Sequence, residues 1–444
     1  MTGFSTSSEL GGPFVDRSSA AMRLISRHRL GFLYVLSVPI VAILADTPGI
    51  DIAGFHITGW IWLSYAFVAA FLLMFEKAVH QAGQIAFPYV RWSIWFGYVW
   101  LSLIWTQHPG RTQIQQAVQL SMPLLVGIIA SIYVRTKEQL DLLLRTFCYS
   151  LILGCVIVVL AKSHRLPLND MNNPDDPLGT MAPFGMMVAL IGSIFLVRFW
   201  HKPTLAFLGW GTGLMLSFAS GARTVTATMI LLPILNPAIK RIRTRLLMTV
   251  AVTSLGIALF YTPWFQHRFF HTGSGTLGDL FSGEFDTSGR FDAWPWYWDE
   301  AWRHPVLGSG VGTVITISKF AWDGDTVQVH NDYLAIGFEL GLVGLSLFLA
   351  VFFWQFAGLW RRMRQSDGIV RDAFAVGMLG LIVLALNACT DNPLGYNLWF
   401  MDPLFVLIGA AYGVNHATAV ETVEQRSGVL RPALLQAGRQ FSLR

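Results

Sequence analysis

The segment HNDYLAIGFELGLVG, residues 330–344, decides how this chain is read. It opens on an ionisable ring, His330, and passes without a break into apolar sequence that continues to Phe356. Tyr333 to Phe356 is long enough to cross a bilayer as a helix. At roughly 100° per residue, Gly337, Gly341 and Gly344 fall within about 40° of the His330 direction. Glycines on one stripe let backbones approach closely, so the stripe is expected to face a packed neighbouring helix and not lipid. His330 would then point into the protein at the water boundary, which suits a site better than an anchor.

The rest of the chain has the same character. Of 444 residues, 54% are hydrophobic and 13% are charged, against roughly 25% charged in a soluble domain. This predicts an all-α, polytopic membrane protein of about twelve transmembrane helices. The apolar runs in the first half are Gly31–Ala45, Gly59–Phe75, Trp92–Trp105, Val118–Val134, Phe147–Ala161 and Met181–Val197. Those in the second half are Leu205–Ala219, Thr226–Ile239, Leu246–Tyr261, Tyr333–Phe356, Phe374–Cys389 and Leu398–Val414. Met1–Ala20 is polar and Gly/Ser-rich, so no cleavable signal peptide is expected. Cys148, Cys155 and Cys389 sit in apolar runs and imply no disulfide framework.

An even number of spans puts both termini on one side. With the N-terminus inside, the inner segments hold all of the 31 basic residues except Arg111, Lys162, Arg165, Arg223, Arg268, Arg290, Arg303 and Lys319. That asymmetry predicts cytoplasmic termini. The basic surplus thus reports topology and contact with anionic lipid, not nucleic acid. Lys240–Arg245 and Arg361–Arg364 read as topogenic signals. The expected layout is a cytoplasmic segment (1–30), nine helices (31–262), a long outer loop (263–329), three helices (330–414) and a cytoplasmic tail (415–444). A long ordered connection is usually functional. This one, rich in aromatic and small residues, is expected to be folded.

The outward-facing ionisable groups are then few. His330 starts the tenth span, and Arg223 follows the Ser220-Gly221-Ala222 break between the seventh and eighth. Arg290 lies in the long loop, Asp391 in the turn TDNP at 390–393, and Asp402 about one turn into the twelfth span. Charges near hydrocarbon are costly and normally face the protein interior or a water-filled cavity.

These residues carry a resemblance. His330-Asn331 with the spaced Gly341 and Gly344, the Ser-Gly-Ala-Arg223 segment, and the loop pieces Ser288-Gly289-Arg290, Trp298 and PVLGSG (305–310) resemble the O-antigen ligases. The wider family takes in lipid-linked polysaccharide polymerases and oligosaccharyltransferases. The second half carries the likeness, and the first half matches only as a set of spans. What the resemblance implies is glycosyl transfer on the periplasmic face of the bacterial inner membrane. The donor would be a polysaccharide on undecaprenyl diphosphate, and the acceptor a sugar hydroxyl of lipid A-core. Arg223 and Arg290 would hold the diphosphate by charge-assisted hydrogen bonds and stabilise the charge that grows as the glycosidic bond breaks. His330 would act as general base. Asp391, Asn331 or Asp402 would orient the imidazole or bind sugar, attack would invert the anomeric centre, and neither metal nor cofactor is implied.

Each residue also has an ordinary reading. His330 could be a polar cap, Arg223 could snorkel to headgroups, and Arg290 could pair with Asp292. Asp391 and Asp402 could be helix-end residues. Asp323-Gly324-Asp325 has the D-x-D form of metal-dependent sugar transferases, but Asp-Gly is an ordinary turn, and two carboxylates, like Asp175-Asp176, are too few to define a cation site. Trp294, Trp298 and Trp302 share one face if their segment is helical, either at the membrane interface or against sugars. Glu339 points away from the glycine stripe, with no partner identifiable.

Polymerase, protein oligosaccharyltransferase, lipid-linked glycan transporter and scaffold are the alternatives. A transporter would be expected to show repeats and midplane polar breaks in both halves.

Overall fold

A computed structural model describes residues 29–44, 51–52, 55–75, 85–107, 109–162, 182–270, 272–276, 278–281, 290–321 and 329–441. Asp175-Asp176, Asp323 and Asp325 lie outside the described residues, as do Ser288 and Gly289. Every apolar run coincides with a helix. In chain order these are α1 (Arg29–Leu44), α2 (Ile57–Phe75), α3 (Tyr89–Leu101), α4 (Arg111–Tyr133), α5 (Lys137–Lys162) and α6 (Ala182–Arg198). There follow α7 (Pro203–Ala219), α8 (Arg223–Leu235), α9 (Ile242–Phe260), and, in the long loop, α10 (Pro263–Phe269), α11 (Arg290–Ala301) and α12 (Thr313–Ala321). The last three are α13 (Asp332–Gln365), α14 (Gly368–Asn387) and α15 (Asp402–Phe441). Among the described residues the β-structure is one antiparallel pair of two-residue strands, Asp51–Ile52 and Phe55–His56.

Among the described residues, six helices are long and apolar enough to cross a membrane: α4, α5, α9, α13, α14 and α15. Five shorter apolar ones, α1, α2, α6, α7 and α8, join them. Helix α3 carries Arg91 and passes into a tight turn at Ser102–Ile104. The last helix does not stop at Val414, because the sequence after it supplies the helix formers Ala, Leu, Glu, Gln and Arg.

Small residues decide how closely these helices meet. A Cβ on Gly409 would stand 2.2 Å from the Gly127 carbonyl oxygen, and one on Gly413 2.4 Å from that of Val134. Helices α15 and α4 therefore pack backbone to backbone, the close approach that replaces hydrophobic driving force between membrane helices. The span in α15 is 94% buried and that in α9 only 6%, so α15 is central and α9 peripheral.

Helix α13 is two helices joined at a break. Gly341 has φ 65° and ψ −171°, which no helical residue adopts. The opened backbone is bonded to the loop segment 305–310. Ser309 N donates to Phe338 O at 3.0 Å and Gly310 N to Glu339 O at 2.8 Å, while Leu342 N donates to Pro305 O at 2.8 Å. Irregular backbone at this depth is tolerated only when its polar groups are paired like this. Gly308 is equally required: its φ is 72°, and a Cβ there would stand 2.4 Å from Glu339 O.

The expected glycine stripe meets a neighbouring helix at Gly344, against Tyr98 of α3, and departs from the expectation at Gly341 and Gly337. Gly341 faces the loop backbone, not a neighbouring helix. Gly337 has nothing within 4 Å of its Cβ position. A constant 100° per residue holds only along an unbroken helix, and the break at Gly341 ends that phase.

Candidate functional site

The break and the docked loop fix the start of α13, and His330 sits immediately before it. Asn331 is the helix N-cap, its Oδ1 accepting from Leu334 N at 3.0 Å. Asp332 locks the same turn to the segment after α14: its amide donates to Ala388 O at 2.9 Å, and its Oδ2 accepts from Leu394 N at 2.8 Å. His330 itself has φ 47°, and it is the described non-glycine residue with positive φ. Left-handed backbone in a non-glycine residue persists where the surroundings over-determine it, and such residues cluster at functional sites.

The conformation brings the imidazole to Asp391. Nδ1 lies 3.4 Å from Asp391 Oδ1, with the histidine side chain 34% exposed and the carboxylate 10%. The same oxygen accepts from the Tyr396 hydroxyl at 2.7 Å and from Asn392 N at 2.9 Å. Burial raises the Asp391 carboxyl, but the hydrogen bonds from His330, Tyr396 and Asn392, with the nearby His330 charge, outweigh it and hold the carboxyl below its usual range. Burial pushes the Tyr396 phenol well above its usual value, and Asp391 pushes it the same way, so Tyr396 remains a donor. A carboxylate accepts, so the proton of the imidazole facing it sits on Nδ1 and Nε2 is left as the basic nitrogen.

Arg290 and the start of α8, which carries Arg223, lie in this neighbourhood. Arg290, the first residue of α11, lies near enough for its charge to act on the Tyr396 hydroxyl. Arg223 is the first residue of α8, placed there by the turn at Gly221, φ 72°. The adjacent Thr224 hydroxyl is hydrogen-bonded to that of Thr390, the residue before Asp391. Asp292, the alternative partner for Arg290, has a side chain outside those described.

Asp402 is different. It is 1% exposed at the start of α15, after a wide π-helical turn at Asn397–Met401. Among the described residues no hydrogen bond or ion pair ties it to His330. Glu339 has partners that its sequence context hides: Gln116 Nε2 donates to Oε2 at 3.2 Å and Val314 N to Oε1 at 3.2 Å. It thereby holds the first turn of α12 against α13 and α4. Tyr396, Asp332 and Thr390 are the members of the site that sequence reasoning passed over. The turn DNPLGY (391–396) was the available signal, because its proline and glycine bring Tyr396 back toward Asp391.

Beside His330 lies a cavity of about 640 Å³. Its lining includes Trp294, Trp298 and Trp302, with Asn331, Tyr333 and Gly337. The three tryptophans do share one face of the α11 segment; Trp294 Nε1 donates to Val329 O at 2.7 Å, which pins that face beside the histidine. On the other side of α13, a smaller cavity of about 300 Å³ is bordered by Gln116, Gln119, Asp332, Glu339, Asn392 and Tyr396. The site therefore brings together an imidazole paired with a carboxylate, the charge of Arg290, the start of α8 with Arg223, an apolar groove and a polar recess.

No curated protein matches the chain. Residues 212–349 match the family model described as O-Antigen ligase. That span carries Arg223, Arg290 and His330 together with the docked loop, whereas Asp391 and Tyr396 lie beyond it. From the middle of α7 to the middle of α13, this membrane protein carries a segment that matches the O-antigen ligase family model.

Proposed function

We propose that this chain is an O-antigen ligase, transferring polysaccharide from undecaprenyl diphosphate to a sugar hydroxyl of lipid A-core. The reaction takes place at the periplasmic face of the bacterial inner membrane, in a protein of about twelve spans with cytoplasmic termini. The family match supports a ligase-like glycosyltransferase in general. The observation that carries the finer reading is His330 Nδ1 facing Asp391 while Arg290 acts on the same network.

In this reading Nε2 of His330 accepts the proton of the acceptor hydroxyl, whose oxygen attacks the anomeric carbon from the face opposite the diphosphate. The new glycosidic bond forms as the carbon–oxygen bond to the diphosphate breaks, and the leaving group departs with the electron pair and an inverted sugar centre remains. Arg223 and Arg290 bind that leaving group. The charge they meet is largest in the transition state, so they act on rate and not only on binding. Asp391 stabilises the imidazolium that forms on His330. The tryptophan-lined cavity takes the first isoprenoid units of the donor, since its apolar lining suits a chain that otherwise lies in lipid.

The test is an assay with purified protein, undecaprenyl diphosphate-linked polysaccharide and lipid A-core in the presence of EDTA. Wild type is expected to form glycosylated core, and His330→Ala, Arg223→Ala and Arg290→Ala are expected to lose it. Longer chains on the lipid carrier without core product would instead make the protein a polymerase. Neither product with active substrates would sink the transferase reading and favour transport.

A further inference from the structure

The opposite end of α13 holds a second built site, independent of the transfer reaction. With a rise of about 1.5 Å per residue, Arg361 lies roughly 45 Å along the helix from His330, the thickness of a bilayer with its headgroups. There a cavity of about 490 Å³ opens between the start of α3, the end of α13 and the middle of α15. Arg91, Arg361 and Arg362 line it with Gln365 and Tyr412, and among the described residues no carboxylate does.

Two of the three guanidiniums are held by rings. Arg91 lies 3.6 Å over the Trp354 ring and Arg362 4.8 Å over the Tyr412 ring. The Tyr412 hydroxyl accepts from Gln355 Nε2 at 3.5 Å, and Gln355 Oε1 accepts from Trp92 Nε1 at 3.2 Å, so the support is itself anchored. Among the described residues none of these arginines is paired with an acid. Ring stacking orients a guanidinium without neutralising it and leaves in-plane N–H groups for an anion. A topogenic signal needs only basic residues near a helix end. It does not need a concave, ring-supported cluster.

We propose that this cavity binds the phosphate ester of an anionic phospholipid headgroup, at the membrane boundary opposite His330. The arginines recognise phosphate bidentately. A lipid is favoured over free phosphate because Phe353, Trp354 and Trp360 are exposed at 63%, 49% and 44% along the same end of α13, where acyl chains would lie. Basic pockets between membrane helices on the cytoplasmic side bind such headgroups.

The test is native mass spectrometry of the delipidated full-length protein titrated with phosphatidylglycerol or phosphatidylcholine. Wild type is expected to retain phosphatidylglycerol about fivefold better, and Arg91→Gln/Arg362→Gln to fall to the phosphatidylcholine level. Arg361→Gln alone, at an exposed side chain, should lose part of the preference if the double variant does not fold. Arg243→Gln/Arg364→Gln removes as much charge outside the cavity and should retain the preference. Equal retention by wild type and the cavity variants, or equal loss in this control, overturns the proposal. Full displacement of the lipid by millimolar inorganic phosphate would overturn the lipid assignment, leaving a phosphate-ion site.

Discussion

His330 Nδ1 and Asp391 Oδ1 lie 3.4 Å apart although 61 positions separate them in the chain. The pairing requires the left-handed backbone of His330 on one side and the DNPLGY turn on the other. It assigns the proton to Nδ1 and leaves Nε2 for chemistry.

Asp391→Asn is expected to lower kcat by about ten- to a hundredfold with KM little changed, because it removes the charge that stabilises imidazolium. The Asp391 carboxyl is held below its usual value once hydrogen bonding has outweighed burial. Its stabilising contribution is therefore complete above the unfolded value near ~4 and is lost as pH falls through the lower folded value. Thermal melting from neutral pH to about pH 3 checks this: wild type should show an acid loss that the asparagine variant lacks.

Tyr396→Phe deletes the 2.7 Å donor to Asp391 and should cost about 1 kcal/mol or severalfold in kcat. Combined with Asp391→Asn the two losses should not add, since the tyrosine acts through the carboxylate. A double-mutant cycle in single-turnover kinetics decides it; full additivity would mean that Tyr396 works elsewhere.

Gly341→Ala and Gly337→Ala make a contrasting pair. At Gly341 an added Cβ meets Val306 O at 2.3 Å and Gly308 N at 2.5 Å with φ at 65°, so the loop must detach from α13. A loss of more than about 3 kcal/mol is expected, seen as low yield or a large fall in Tm. Gly337 has open space and a helical backbone, so alanine there should stabilise by up to about 1 kcal/mol.

Trp298→Ala and Trp302→Ala should raise KM for a long-prenyl donor more than for a short-prenyl analogue, with kcat largely kept. The two rings pack at 5.8 Å and line the cavity beside His330. Steady-state kinetics with two donor lengths reads the difference, and an equal rise for both would remove the prenyl assignment.

What the sequence determined by itself is the helical membrane character and a short list of candidate residues. Apolar runs and charge depletion are local, so each run met a helix, and the identities of His330, Arg223, Arg290 and Asp391 were legible because charges near hydrocarbon are rare. What only the tertiary structure decided is which of them converge. Asp402, equally conspicuous in sequence, lies buried at the start of α15 with, among the described residues, no bond to His330, whereas Tyr396, inconspicuous in sequence, holds Asp391. Helical phase could not foresee the break at Gly341, because its broken hydrogen bonds are replaced by amides and carbonyls from residues 305–310. A period describes one helix against its surroundings. A bond to backbone groups of a distant loop leaves no mark on that period, so the folded chain alone decides it.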